Sequence, residues 1–249
     1  MARITAIINQ KGGVGKTTTV AALADGLHRR GFTALAVDAD AQGSLSFIMG
    51  VEAQQGIYEA LKGSPAAELI HSTPQGDLLP STPALIGADL EFTQTGREYM
   101  LRDALEPISD RYTHIIIDCP PQLGILTVNA LTAATDVVIP MGADILSLQG
   151  MGQLYDTISK VKRYCNPGLQ IAGLLITRYR RAILSRDLAE VIGDQAKQIG
   201  TGIYATQIRE GVTVKEAQTM QQSLYARNPK ANPSIDYNAF VEEYLKQEK

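Results

Sequence analysis

Apolar residues along this chain gather in short runs closed by turn residues, and longer stretches with helical spacing lie between them. Residues 4–8, 34–37, 114–117, 137–139 and 171–176 read as strands without polar alternation, the pattern of a sheet covered on both faces. Leu78 and Leu79 begin another strand, and residues 203–205 form a short one. Helical patterns occupy residues 17–30, stopped by Gly31, and 126–134, with short helical pieces in 44–61 and a helical stretch from Leu85 to near Pro107. Residues 145–164 read as a long helix ended by Asn166-Pro167-Gly168, residues 187–199 as one capped by Gly200, and residues 236–246 as the last;. Alternation of this kind predicts an α/β fold, a doubly wound and mostly parallel sheet with helices on both faces. No repeat, low-complexity tract or linker interrupts it, so one domain over residues 1–249 is expected;.

Composition narrows the class without naming a function. Hydrophobic residues make up 45% and charged residues 20%, which suits a soluble globular protein. No apolar run reaches the roughly 18 residues that a membrane span needs. The chain enters its first strand at once, so a secretory leader is not expected. Cys119 and Cys165 are too few for a disulfide framework and form no Cys-x-x-Cys pair, which points to a reducing cytoplasm;. They read as core thiols, and His28, His71 and His114 are too widely spaced to propose a site;.

Net charge is −3, so global charge does not announce a polyanion binder. Its distribution is uneven. Residues 52–110 hold ten acids against three bases, whereas residues 160–186 hold seven bases and no acid. A locally basic face on an acidic protein can hold a polyanion, and the same charges can equally solvate helix ends and loops.

The chemistry concentrates after the first strand. Lys11-Gly12-Gly13-Val14-Gly15-Lys16-Thr17-Thr18 joins that strand to the first helix, the arrangement of a phosphate-binding loop. Glycines there let backbone N–H groups turn onto phosphate oxygens without Cβ clashes. Lys16 is expected to neutralise the β- and γ-phosphates of a nucleoside triphosphate, and the Thr17 hydroxyl to ligate Mg²⁺. Further polar residues fall at strand ends: Asp38 and Asp40 after the second, and Asp118 after residues 114–117. An aspartate closing a run of isoleucines is the Walker B arrangement, a carboxylate that orients Mg²⁺ and its waters.

Lys11, a second lysine opening the loop, resembles the deviant Walker A motif of the ParA/MinD family of P-loop ATPases. The resemblance extends to Asp38-Ala39-Asp40-Ala41-Gln42-Gly43-Ser44, where Ala41 and Ser44 stand for the family's proline and asparagine, and to Asp118-Cys119-Pro120-Pro121 with Leu123-Gly124 and Asn129-Ala130-Leu131. Ile139-Pro140, Leu148-Gln149-Gly150, Gln153-Leu154 and Val214-Lys215-Glu216-Ala217 continue it, and the ParA-type partition ATPases match best. The resemblance implies ATP and Mg²⁺ as cofactors, and a homodimer in which Lys11 reaches the partner's nucleotide. It implies Asp40 as the residue that positions the attacking water, and Asp38 near the Mg²⁺ hydration shell. Adenine is expected against Thr177 and Arg178 and against Ile208-Arg209, where Arg209 replaces the family's proline. No Asn-Lys-x-Asp guanine signature occurs, which favours ATP over GTP.

By the same resemblance the chain is expected to bind double-stranded DNA non-specifically in its ATP state, with Arg180, Arg181, Arg186 and Arg209 as candidate contacts. Its reset is expected from slow hydrolysis stimulated by a ParB-like or other centromere- or cargo-binding partner. The expected place is the cytoplasm, on the nucleoid. Two alternatives stand beside it: a MinD-like membrane ATPase and an amide-forming ligase on the same fold. The tail after Phe240 carries three glutamates and no arginine, so anionic lipid attracts it little and no membrane partner is expected.

Overall fold

The computed structural model describes residues 2–142, 150–179 and 186–247, those from 186 to 190 by their backbone alone. Among the described residues seven strands form one sheet. They are β1 (Arg3–Ile7), β2 (Ala34–Asp38), β3 (His71–Thr73), β4 (Gly76–Leu79), β5 (His114–Asp118), β6 (Asp136–Gly142) and β7 (Gln170–Thr177), in the spatial order β3-β4-β2-β5-β1-β6-β7. Every neighbouring pair is parallel except β3 with β4, an antiparallel hairpin at one edge. The sequence pattern passes over β3 because His71-Ser72-Thr73 carries no large apolar side chain and packs little.

Successive side chains of the central strands enter different cores. Ala6, Leu35, Val37, Ile115, Ile117, Val137 and Ile139 pack on one face with the helices Ile57–Leu61, Met100–Leu105, Ile125–Ala133 and Met151–Tyr164. Ile7, Ala36, Ile116, Val138 and Leu175 pack on the other with Lys16–His28, Ser44–Ile48 and Asn232–Lys246. Burial on both sides removes any reason for polar alternation, and the doubly wound expectation holds. No helix among the described residues is long and apolar enough to cross a membrane.

Several boundaries differ from the sequence reading. β6 does not stop at Pro140 but runs on to Gly142. Its ladder with β1 ends at Val138, so from there β6 pairs as a strand with β7 alone, and a residue without an N–H is tolerated on the side that β1 has left;. The stretch from Leu85 to Pro107 is broken into short helical turns at Pro83–Gly87, Ala88–Glu91 and Met100–Leu105. In place of a strand at 203–205 there is a single bridge from Ile203 to Leu174. The last helix starts earlier, at Asn232, with Pro233 in its first turn;. Of the helix expected over 145–164, the part from Met151 is present, and residues 145–149, with Leu148 and Gln149, lie outside the described residues.

Candidate functional site

β1, β2 and β5 are neighbours and parallel, so the polar residues that follow them meet at one edge of the sheet. In open α/β sheets that edge is where ligands bind. The loop from β1 is fastened at both ends. Asn9 Nδ2 donates to the Pro140 carbonyl at 2.8 Å, and its Oδ1 accepts from the Lys11 amide at 2.9 Å. Further on, the Thr177 hydroxyl lies 2.7 Å from the Val14 carbonyl and 3.1 Å from that of Met141. Gly13 and Gly15 have φ of +74° and +87°, a region that side chains other than glycine avoid;. Gly15 hands the chain directly to the helix Lys16–His28, whose first N–H groups have no partners within the helix;. The loop is thus an anion cradle held open by its neighbours.

Charges inside the cradle are arranged around Lys16. Its side chain is buried, and its ammonium donates to the Lys11 carbonyl at 3.4 Å. Burial lowers its pKa while the negative charge of Asp118 opposes that shift. Asp38 and Asp118 sit opposite each other in the β2–β5 register, both almost fully buried. Asp38 Oδ2 accepts from the backbone amide and the hydroxyl of Ser46, each at 2.7 Å. Burial nevertheless pushes the Asp38 carboxyl up to about 6. Asp118 is also held well above the usual carboxylate range, first by burial and then by Asp38, against the relief that Thr17 and Lys16 provide. Neither Asp118 oxygen accepts a hydrogen bond of good geometry.

Two adjacent buried carboxylates, one with unsatisfied oxygens and the Thr17 hydroxyl beside it, fit a divalent cation. Among the described residues no group of three or more His, Cys, Asp or Glu could hold a metal by itself. That suits Mg²⁺, which takes few protein ligands and fills its octahedron with waters and phosphate oxygens. Cys119 follows Asp118, and burial pushes its thiol above its ordinary range;.

Asp40 turns the other way. Its backbone amide reaches Asp38 Oδ1 at 3.3 Å, its own Oδ1 accepts from the Gln42 amide at 3.0 Å, and its side chain reaches the cleft. That cleft, of about 1110 Å³, is lined by Gly12, Gly13, Gly15, Lys16, Thr17, Thr18, Asp40, Thr177, Arg178, Ile208 and Arg209, so the structure brings most of the expected nucleotide residues together. Arg178, at φ +52°, donates to the Gly13 carbonyl at 3.3 Å and pairs with Glu210 at 3.2 Å. Arg209 is tied to Asp236 through its Nε at 2.8 Å, its Nη2 at 2.6 Å and its backbone amide at 2.9 Å.

Several supports of this site were not visible in the sequence. Ser46 holds Asp38. The Tyr237 hydroxyl sits 3.1 Å from the Thr19 hydroxyl and backs Gly15, and Gln218 Nε2 donates to Thr18 Oγ1 at 2.9 Å. All three come from helices far along the chain or from a residue type with no motif of its own. Gln218 directly follows the recognised segment Val214 to Ala217, in the helix Val212–Thr219, and Ser46 lies two residues past the one that ends at Ser44.

The basic stretch is divided by the fold. Lys160, Lys162 and Arg163 end a helix that leads to the start of β7, and Arg178 follows the opposite end of that strand. Arg180 and Arg181 lie outside the described residues. Arg186 opens the helix Arg186–Gln198, its side chain likewise outside the description. Arg209 lies in the cleft, paired with Asp236.

A family model described as an AAA domain matches residues 2–171. The chain is 39% identical to the chromosome partitioning protein ParA of Myxococcus xanthus, over 99% of this chain and 89% of that one. It is 37% identical to the chromosome-partitioning ATPase Soj of Thermus thermophilus, over 96% and 94%. Among solved structures it resembles a cobyrinic acid a,c-diamide synthase from Mycobacterium smegmatis with bound ADP and magnesium, at a TM-score of 0.86 and 36% identity over 99% of this chain and 95% of that one.

Proposed function

Because the chain belongs to the ParA/Soj family of chromosome-partitioning ATPases, we propose that it is an Mg²⁺-dependent ATPase that dimerises on ATP, binds DNA non-specifically as a dimer and is reset by slow hydrolysis. The observation that carries this reading is Asp118, whose buried oxygens lack hydrogen bonds of good geometry beside a preformed anion cradle. A carboxylate left so is costly unless a cation joins it. Mg²⁺ carried by a nucleotide supplies that cation, and when bound it neutralises charge on the β- and γ-phosphates.

The chain's own residues have separable tasks. The backbone of Gly13 to Thr17 and the Lys16 ammonium hold the phosphates. Thr17 and Asp118 hold the Mg²⁺ shell, with Asp38 behind them. Asp40, at the cleft wall, orients the attacking water, and Lys11 of a second copy adds a cation across the interface. A lysine supplies a point charge without an arginine's fork, which accords with slow turnover. The partners in this reading are a second copy of the chain, duplex DNA and a ParB-like or other cargo-binding protein, in the cytoplasm and on the nucleoid.

A DNA-retention assay over a salt series, with ATP, with ADP and without nucleotide, tests this. Retention only with ATP, falling steeply with salt, is the expected result. Salt-insensitive or nucleotide-independent binding would sink the partition reading. The name of the Mycobacterium smegmatis structure favours a second reading, an amide-forming ligase. ATP turnover that responds to a carboxylic acid and an amine donor, and not to DNA, would select it.

A further inference from the structure

At the end of β7 the pairing with residues 208–210 slips by one position. The Ile208 amide donates to the Ile176 carbonyl at 2.8 Å, and the Ile208 carbonyl accepts from the Tyr179 amide at 2.9 Å. Regular parallel pairing leaves one residue between two such partners; here there are two, Thr177 and Arg178. Arg178 absorbs the surplus at φ +52°, a left-handed conformation that an arginine holds only where its surroundings enforce it;. Both side chains of this bulge reach the phosphate loop. Buried Thr177 has its hydroxyl 2.7 Å from the Val14 carbonyl and 3.1 Å from that of Met141, and its single proton goes to the nearer. Arg178 Nη1 donates to the Gly13 carbonyl at 3.3 Å, while Nη2 pairs with Glu210 at 3.2 Å. Gly13 and Val14 are consecutive, so the two contacts fix successive peptide planes.

We propose that Thr177 and Arg178 are positioning residues: their bulge grips two carbonyls of the phosphate loop from outside and thereby aims the Val14 and Gly15 amides at the phosphates. This rests on the nucleotide-binding reading above and deepens it. In a trans peptide the C=O and N–H point opposite ways;. Holding the Gly13 carbonyl turns the Val14 N–H away from Arg178, and holding the Val14 carbonyl turns the Gly15 N–H away from Thr177. Among the described residues neither amide donates to a backbone carbonyl, so both are left for an anion;. A glycine-rich loop loses conformational entropy when it closes on a ligand, unless its peptides are fixed beforehand. The strained backbone at Arg178 is the counterpart of that order.

Equilibrium binding of Mg·ADP and Mg·pyrophosphate to the full chain and to Thr177→Val, Thr177→Ser and Arg178→Asn tests this, with melting of each nucleotide-free chain measured alongside. Diphosphates are chosen because they avoid ATP-driven dimerisation. Thr177→Val keeps the shape and removes the donor, and should weaken both ligands together by about tenfold, the scale of one lost hydrogen bond. Thr177→Ser keeps the donor and should stay within about twofold of wild type. Asparagine takes a left-handed φ readily but is too short to reach Gly13, so Arg178→Asn should melt no lower and still weaken both ligands by about threefold to tenfold. ADP weakened with pyrophosphate spared would make the pair contacts of the base and overturn the proposal. Unchanged affinities, or losses confined to variants that melt lower, would overturn it too. So would a wild type that binds ADP and no pyrophosphate, since a preset cradle needs no base. A wild-type chain that binds neither ligand would instead overturn the nucleotide reading itself.

Discussion

The Lys16 ammonium is anchored on the backbone carbonyl of Lys11, 3.4 Å away, within the same loop. The anchor is a neutral carbonyl, so the charge remains open to an incoming phosphate. The contact also uses only the main chain of Lys11, which any residue at that position would supply. Lys16→Ala is therefore expected to lower Mg·ATP affinity by about a hundredfold, the scale of charge-assisted hydrogen bonds lost to phosphate. Lys11→Ala should bind nucleotide as wild type and fail to dimerise on ATP. Calorimetry and light scattering separate the two. A Lys11→Ala chain that still dimerises would remove that lysine from the interface.

Asp40 lines the cleft, while Asp38 is sealed behind Ser46. Asp40→Ala should bind Mg·ATP and dimerise normally yet hydrolyse at least about a hundredfold more slowly, because a water-orienting contact acts in the transition state. Phosphate-release kinetics on the dimeric fraction provide the measurement. Normal turnover would mean that another group orients the water.

The buried aspartates make stability depend on pH in an unusual direction. Asp38 is raised to about 6 and Asp118 is raised as well, so the folded chain holds these protons more tightly than the unfolded chain does. Their contribution favours folding at low pH and is lost as pH rises through the folded pKa values, a loss of about 1–3 kcal/mol from Asp38. Asp118→Asn should therefore raise the melting temperature of the nucleotide-free protein near pH ~8 while abolishing Mg·ATP stabilisation. Near pH ~5 the gain should shrink. A variant that melts lower than wild type at the higher pH would show that Asp118 is stabilised in some other way.

Contiguous chemistry was legible from the sequence and scattered chemistry was not. The phosphate loop, Asp38, Asp40 and Asp118 each sit at a strand end, where an apolar run stops and a polar residue begins, and the run itself marks the place. Asp236 and Tyr237 occupy ordinary positions of an amphipathic helix, one partly polar turn among several. Their importance comes from what the fold sets opposite them, Arg209 and Thr19, respectively 27 and 218 residues away. Strand β3 and the breaks in the segment after Pro83 escaped for a simpler reason: neither carries a sustained hydrophobic period.

On the nucleic-acid side, reversing Arg180 and Arg181 together to glutamate should abolish ATP-dependent DNA binding and spare dimerisation. Each phosphate contact removed should lower the magnitude of the salt slope by about 0.9. Unchanged affinity and slope in the double variant would make that segment ordinary solvated surface.

The helix Asn232–Lys246 does more than cover a core. Its Tyr237 hydroxyl meets Thr19 and backs Gly15, its Tyr244 hydroxyl lies 2.7 Å from the Thr5 hydroxyl, and its Tyr244 carbonyl accepts from Arg3 at 3.0 Å. The first strand and the first helix are thus completed by a helix more than 200 residues further along the chain. A truncated chain ending before Asn232 would lack the Tyr237 side chain behind Gly15, and nucleotide-binding measurements on it should detect no binding. Fastening of this distant helix and loading of the phosphate loop should therefore be coupled: a chain in which the helix is undocked is expected to hold no nucleotide.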